Sequence, residues 1–284
     1  DDVVDSLARY LFDAGGKRIR PLLTLLTAQW GEGVNDKVVT AAQVIELTHL
    51  ATLYHDDVMD EASKRRGVTS AHNVWNNSMA ILAGDLLFAR AGALGVSLGE
   101  EAMRRQTETF ERLVVGQMRE TVGPKDDEDP VGHYLAVLAD KTGSLIALAA
   151  EFGITQSGAP VEYVSSVQGF GEKIGVAFQL VDDVLDLSSD EEATGKKAGT
   201  DVRRGVVTLP MILLEHAARQ NNGDAELREL LVRGASGGLT EEAFAEVISR
   251  LREHPVTEQT MEIARTVAKQ AVESLADLPT GTVR

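Results

Sequence analysis

The pattern of apolar and polar positions along the chain is dominated by a helical period. In VVTAAQVIELTHLATLYHDDVMD the apolar residues Val44, Leu47, Leu50, Leu53 and Tyr54 recur at spacings of three and four, as on one stripe of a helix. The segments around 71–99, 101–121, 130–152, 161–187, 207–219 and 240–276 read the same way. Strand-type alternation is scarce, and only seven prolines interrupt the chain. The Gly- and Pro-bearing clusters GEGVND, VGPKDDEDP, QSGAP and GASGGLT are short enough to be turns between helices. No repeat of solenoid length is present. This pattern predicts an all-α fold, a single domain over residues 1–284 without a long linker. Trp30 and Trp75 read as packing residues, and Asp126 to Asp129 as a solvated acidic turn. The longest polar stretch, SSDEEATGKKAGTDVRRG from 188 to 205, reads as a surface loop or a mobile flap.

Composition narrows the class. Of 284 residues, 43% are hydrophobic and 25% charged, ordinary for a soluble globular protein. The net charge of −16 disfavours nucleic acid as a partner, which needs a basic surface. Cysteine is absent, which excludes disulfides, thiolate zinc sites and cysteine nucleophiles. No apolar run approaches the ~18 residues of a membrane span, and no signal peptide opens the chain, so no membrane span and a cytoplasmic location are expected. The first residue is Asp, so an N-terminal segment is expected to be missing.

The polar residues that interrupt the helical pattern carry the chemistry. In LYHDDVMDEASKRRG, His49, Leu53, Asp56 and Asp60 share a helical stripe, with Asp57 beside it. Like charges at i, i+4 repel by about 0.2–0.5 kcal/mol when solvated. Between apolar neighbours the cost rises unless a cation neutralises them. Mg²⁺ takes one or two protein carboxylates plus substrate phosphates, so the stripe reads as a Mg²⁺–phosphate platform or as an acidic helix end facing water. The spacing recurs in FQLVDDVLDLSSD, with Asp182, Asp183 and Asp186. Two such clusters, each inside an amphipathic helix, favour the paired platform, able to hold several ions around one diphosphate.

Cations complete the set. GGKRIRP puts Lys17, Arg18 and Arg20 after Gly15 and Gly16, which let backbone approach an anion. With Arg65 and Arg66, this suggests a second diphosphate site without metal. Lys141 and Thr142 of DKTGSL read either as a third cationic contribution or as a helix break at Gly143. His49 reads as a phosphate contact or as a core histidine; His55 points elsewhere and has no assigned role. No Ser/His/Asp triad, GxSxG, Walker A loop or Rossmann fingerprint appears. The picture is electrophilic chemistry on diphosphates, in which metal and basic residues would stabilise a departing pyrophosphate.

These residues resemble the trans-isoprenyl diphosphate synthases, or polyprenyl synthetases, of the medium- to long-chain type. The motifs GGKRIRP, HLATLYHDDVMDEASKRRG, GDLLFARA, DKTGSL, FQLVDDVLD, GKKAGTD and TLP match in order over about residues 5 to 215. The resemblance implies an isoprenoid-synthase-type helical bundle around a central cavity, a homodimer, and a Mg²⁺ requirement, with three ions per active site. It implies an allylic diphosphate bound through Mg²⁺ on Asp56, Asp60 and Asp182, with Asp57, Asp183 and Asp186 close by, and held by Arg65, Lys141 and Lys196. Isopentenyl diphosphate would bind at Lys17, Arg20, His49 and Arg66, beside Gly16, with Phe178 near its hydrocarbon. Thr142 and Gln179 would line the allylic cation. One departure is Val206, where many relatives carry a lysine before TLP; Arg203 or Arg204 is expected to compensate.

In this family the residues just before the first aspartate cluster form the floor of the product tunnel. Short-chain enzymes commonly carry a large aromatic there. Here Thr48, Ala51 and Thr52 are small over two helical turns of about 5.4 Å each. This predicts a product in about the C30–C50 range, with geranylgeranyl diphosphate as the alternative and Phe88 or Phe152 as residues that could close the tunnel. A class I terpene cyclase is disfavoured because the second acidic motif is again DDxxD. A non-catalytic regulatory subunit is the remaining alternative, disfavoured because such subunits typically lose the aspartate motifs.

Overall fold

The structure, a computed structural model, describes residues 2–188 and 198–280. In chain order the elements are α1 (Asp2–Asp13), α2 (Ile19–Thr27), α3 (Asp36–Met59), a hairpin of β1 (Lys64–Arg65) and β2 (Val68–Thr69), α4 (Ala71–Val74), α5 (Asn77–Gly95) and α6 (Glu100–Val122). There follow α7 (Pro130–Leu138), α8 (Ser144–Gln156), α9 (Val164–Ser188), α10 (Thr200–Arg203), α11 (Leu209–Ala218), α12 (Asn222–Ala235), α13 (Glu241–Glu253) and α14 (Pro255–Glu273). The fold is all-α, as the periodicity predicts; the antiparallel hairpin is its one departure among the described residues.

Local chemistry sets the boundaries. Asn35 accepts from Val38 N at 3.0 Å and starts α3; Asn76 caps α5 through Met79 N at 2.9 Å. Such caps contribute about 1 kcal/mol each. Three segments expected as continuous helices are interrupted. The 71–99 segment breaks at Trp75 and Asn76, the 130–152 segment passes through a wide π turn at Ala139–Gly143, and the 240–276 segment breaks at extended His254 before Pro255. Helix α12 is not among the segments singled out from the sequence, although Leu227, Leu230 and Leu231 recur at helical spacing and Asn221 caps it by accepting from Gly223 N.

The chain divides into two compact units, the first of Asp1–Glu111, Ser144–Gly171 and Ser274–Arg284, the second of Arg112–Gly143 and Glu172–Glu273. In the first unit α3 packs along α5, around Leu7, Leu11, Leu50, Ala51, Tyr54, Ala80, Ala83 and Leu87. The Tyr54 hydroxyl donates to Leu7 O and accepts from Leu11 N at 3.2 Å, tying α1 to α3. Helix α2 lies so close to α8 that the Thr24 and Thr27 hydroxyls donate to Ala149 O and Ala150 O, each at 2.9 Å. Gly153 permits the approach, since a Cβ there would lie 1.9 Å from Thr27 Oγ1. Trp30 and Trp75 pack against apolar clusters of this unit, as the sequence suggests.

The second unit has one cluster around Leu138, Val176, Leu180, Leu209 and Ala264 and another around Leu187, Leu214, Leu231, Phe244 and Leu251. Fully burying each Leu or Phe side chain stabilises by about 1.5–3 kcal/mol as an upper bound.

One stretch bears on the expectation of no membrane span. Among the described residues the stretch Asn77–Leu98 is long and apolar enough to cross a membrane by length and composition. Asp85 and Arg90 interrupt the apolar run, yet its mean hydropathy is high. Its Ala80, Ala83, Leu87 and Ala91 are buried in the protein, while Ile81 and Leu82 are exposed.

Candidate active site

The first acidic triad ends α3. Asp56 is half-buried and Asp60 exposed on one stripe, while Asp57 is fully buried. At about 100° per residue, the step from Asp56 to Asp57 turns the side chain from the open face to the core. Arg65 Nε donates to Asp57 Oδ1 at 2.6 Å, and Asp57 Oδ2 is buried without a hydrogen-bond partner. Burial raises the Asp57 carboxyl above its usual range, against the pull of Arg65. His55 is turned to α5, with Nε2 3.0 Å from Ile81 O and its ring 5.7 Å from that of Phe88. A Cβ at Gly84 would stand 2.3 Å from His55 Nε2, which accounts for the glycine of GDLLFARA.

The basic group of the same unit is built on left-handed backbone. Gly15 (φ 99°), Gly16 (φ 123°) and Arg18 (φ 52°) bend the chain into α2, and Arg66 (φ 51°) and Gly67 (φ 81°) make the two-residue hairpin turn. Strain of this kind is costly for arginine and clusters at functional sites. The Arg66 guanidinium donates to Leu11 O at 2.7 Å and to Gly15 O. Arg20 Nη1 lies 3.3 Å from His49 Nε2, and Arg20 Nε is buried without a partner. Burial lowers the Arg20 pKa to about 10, with Glu46 opposing, and Arg66 is lowered by burial too. Burial, then Arg20, Arg66, Arg65 and Arg18, hold His49 well below the usual imidazole range, so it is neutral at pH 7. Lys17 is exposed at the entry to α2.

In the second unit α9 carries the other triad. Asp182 is exposed, Asp183 is buried at 3% and Asp186 is half-buried. The Asp183 Oδ2 accepts from the Tyr134 hydroxyl at 2.7 Å and from Leu209 N at 3.4 Å, which places the TLP element. Burial raises Asp183 to about 7 despite both bonds. Asp186 Oδ2 accepts from Asp201 N at 3.0 Å, fastening the GTD turn. Lys141 sits in the π turn with Nζ 2.6 Å from Glu120 Oε2, and Thr142 follows it, half-buried. That turn is held by Asp140, which Arg112 Nε reaches at 2.5 Å; a Cβ at Gly116 would stand 2.9 Å from Lys141 N. Gln179 is half-buried and Phe178 exposed. Lys196 lies outside the described residues. Val206 is exposed; of the two arginines expected to compensate, Arg203 is committed elsewhere, paired with Glu241 at 2.9 Å and stacked 4.2 Å over Phe244, while Arg204 is exposed.

Of the residues read as a tunnel floor, Thr48 is buried with its hydroxyl donating to Val44 O, and Ala51 is fully buried against α5. Thr52 is half-buried, its hydroxyl turned back to His49 O at 2.8 Å. Phe88 packs on Phe110 with centroids 4.4 Å apart, and Phe152 is buried on α8.

Several contributors were not legible in the sequence. Glu46, buried on α3, accepts from Arg18, whose guanidinium also donates to Phe12 O at 2.7 Å and lies over the Phe12 ring. Tyr134, Glu120 and Arg112 are likewise missed. A charge at a core position of α3 was a signal for Glu46; the other three had none.

Among the described residues no group of three or more His, Asp or Glu side chains is close enough to hold a metal alone. Each triad instead offers partly exposed carboxylates beside a buried one. That donor set suits a hard cation which takes one or two protein carboxylates and completes its shell from phosphate.

Comparison with known proteins agrees with this chemistry. The family model described as polyprenyl synthetase matches residues 1–247. The nonaprenyl diphosphate synthase of Mycobacterium tuberculosis is 46% identical over 282 residues, 98% of this chain and 82% of that protein. The solved geranylgeranyl pyrophosphate synthase of Corynebacterium glutamicum, complexed with calcium and isoprenyl diphosphate, is 41% identical with a TM-score of 0.84, covering 100% of this chain and 85% of that one. A polyprenyl synthase from Caulobacter crescentus CB15, also complexed with calcium and isoprenyl diphosphate, is 33% identical with a TM-score of 0.88, covering 99% and 85%. Since sequence and backbone agree over nearly the whole chain, it belongs to the polyprenyl synthetase family and is a trans-polyprenyl diphosphate synthase.

Proposed function

We propose that the enzyme condenses isopentenyl diphosphate with an allylic diphosphate to an all-trans polyprenyl diphosphate in about the C30–C50 range, releasing pyrophosphate. The observation that carries the chain length is Thr52. It lies one turn before Asp56 on the same stripe, half-buried, with its small side chain folded back onto α3. The 46% identity to a nonaprenyl diphosphate synthase supports the same range.

Asp56, Asp60 and Asp182 would hold Mg²⁺, three ions per active site, with Asp57, Asp183 and Asp186 as their supports. When bound, the metal supplies Lewis-acid stabilisation of the departing pyrophosphate. Arg65, Lys141 and Lys196 bind the allylic diphosphate, and Lys141 exchanges Glu120 for it. Lys17, Arg20 and Arg66 bind isopentenyl diphosphate, with neutral His49 donating a hydrogen bond and Gly16 leaving room for Arg66. Phe178 faces the isopentenyl hydrocarbon. Thr142 and Gln179 turn their oxygens to the allylic cation, which the isopentenyl double bond attacks before a proton leaves to pyrophosphate. Ile81 and Leu82, exposed on α5, support a homodimer, and we place the enzyme in the cytoplasm.

Geranylgeranyl diphosphate is the second reading, favoured by the complete burial of Ala51 beneath α5. One assay decides: purified enzyme, Mg²⁺, labelled isopentenyl diphosphate and farnesyl diphosphate, with the dephosphorylated products resolved by chromatography. Products of C30 or longer support the proposal. A stop at C20 supports the second reading. No elongation from any allylic primer revives a partner-dependent subunit.

A further inference from the structure

The two triads share a pattern that their sequences do not reveal: in each, the middle acid is the buried one. Asp57 is locked by Arg65, whereas Asp183, with no cation on it among the described residues, is held by neutral donors, the Tyr134 hydroxyl at 2.7 Å and Leu209 N at 3.4 Å. Both donors meet the same oxygen, Asp183 Oδ2. Tyr134 is on α7, Leu209 opens α11 and Asp183 is on α9, so one carboxylate joins three helices. Around this junction Leu138, Val176, Leu180 and Leu209 are packed, with Val131 and Leu135 of α7 against them. The neighbouring Asp186 fastens the GTD turn by accepting from Asp201 N. Asp182 is the exposed member of this triad.

We propose that Tyr134 is a positioning residue for the second triad: by holding Asp183 in the three-helix junction it fixes the rotation of α9 about its axis, and so the direction in which Asp182 presents its carboxylate. The physical reason is the 100° step. Asp182 and Asp183 are rigidly related through the helix, so pinning one side chain in the core aims the other outward. Asp183 is thus an anchor and not a metal ligand. The same logic governs outer-shell groups of metal sites, whose loss costs about 10–100-fold in affinity or activity.

The inference rests on the proposed ligand role of Asp182, and the test separates the two. The full chain is titrated calorimetrically with Mg²⁺ and inorganic pyrophosphate, and the Mg²⁺ dependence of turnover is measured beside it. Tyr134→Phe removes one oxygen and is expected to weaken Mg²⁺-dependent pyrophosphate binding by about 10-fold. It should raise the Mg²⁺ concentration for half-maximal rate similarly, with the KM for isopentenyl diphosphate unchanged. Leu135→Ala, which loosens the same cluster without touching Asp183, should lower the melting temperature and leave the metal dependence as in wild type. Asp183→Asn keeps an acceptor for Tyr134 and Leu209 N and should bind far better than Asp182→Asn. The inference is overturned if Tyr134→Phe melts lower but keeps wild-type pyrophosphate and Mg²⁺ responses. Should Tyr134→Phe not fold, the asparagine pair still decides, since Asp183→Asn binding as poorly as Asp182→Asn would make Asp183 a ligand. Wild-type binding by Asp182→Asn would instead remove the ligand reading on which the inference stands.

Discussion

Arg66 occupies the space that a side chain at Gly16 would need: a Cβ on Gly16 would lie 2.7 Å from the Arg66 guanidinium carbon. The two residues come from different loops, and each has positive φ. Gly16→Ala would therefore do two things. At φ 123° it strains the backbone, at a cost of about 1–3 kcal/mol. It also pushes Arg66 off Leu11 O and Gly15 O. We expect the KM for isopentenyl diphosphate to rise about tenfold or more, with a smaller change in kcat. Steady-state kinetics with isopentenyl diphosphate varied would show it, and an unchanged KM would remove Arg66 from the diphosphate site.

Asp56→Asn and Asp182→Asn test the acid platform. Both side chains are partly or fully exposed, so neither change leaves a buried hole, and the melting temperature should move little. Turnover should fall by orders of magnitude in each. Near-normal rates in both would falsify the ligand assignment.

Product length should respond to Thr52 more cleanly than to Ala51. A phenylalanine at half-buried Thr52 can extend along α3 without displacing core, and should shorten the product. Ala51→Phe must enter a packed cluster with Ala80, Ala83 and Leu87, at about 1–3 kcal/mol of overpacking. Chromatography of the products, with a melting curve for each variant, distinguishes these effects. Unchanged chain length in Thr52→Phe would place the tunnel end elsewhere, with the Phe88–Phe110 pair the next residues to test.

His49 gives a pH signature. Burial and the surrounding arginines hold its folded pKa below the unfolded value of about 6.5. A depressed pKa means that the folded form resists protonation while the unfolded chain accepts it. The stability that follows is complete above about pH 6.5 and is lost as pH falls towards the folded pKa. His49→Gln keeps a neutral hydrogen-bonding group and lacks this dependence. The wild-type advantage in melting temperature should therefore shrink between about pH 7 and pH 5. A difference that stays constant over that range would mean that His49 takes up its proton in the fold at the same pH as in the unfolded chain.

The sequence by itself determined the all-α class, the two acid triads and the basic loop, because these lie within a few residues of one another and follow the helical period. Asp56 and Asp60 share a stripe by spacing alone. The same spacing could not say which acid is buried, since a helix has no inside until it packs; contact with neighbouring helices put Asp57 and Asp183 in the core. Arg18 meets Glu46 across 28 residues and Tyr134 meets Asp183 across 49, and no local pattern encodes either pair. The wide turn that sets Lys141 is of the same kind. Propensity fixed the helices, but the free energy of packing and of satisfying buried polar groups chose which faces meet, and that choice exists only in the folded chain.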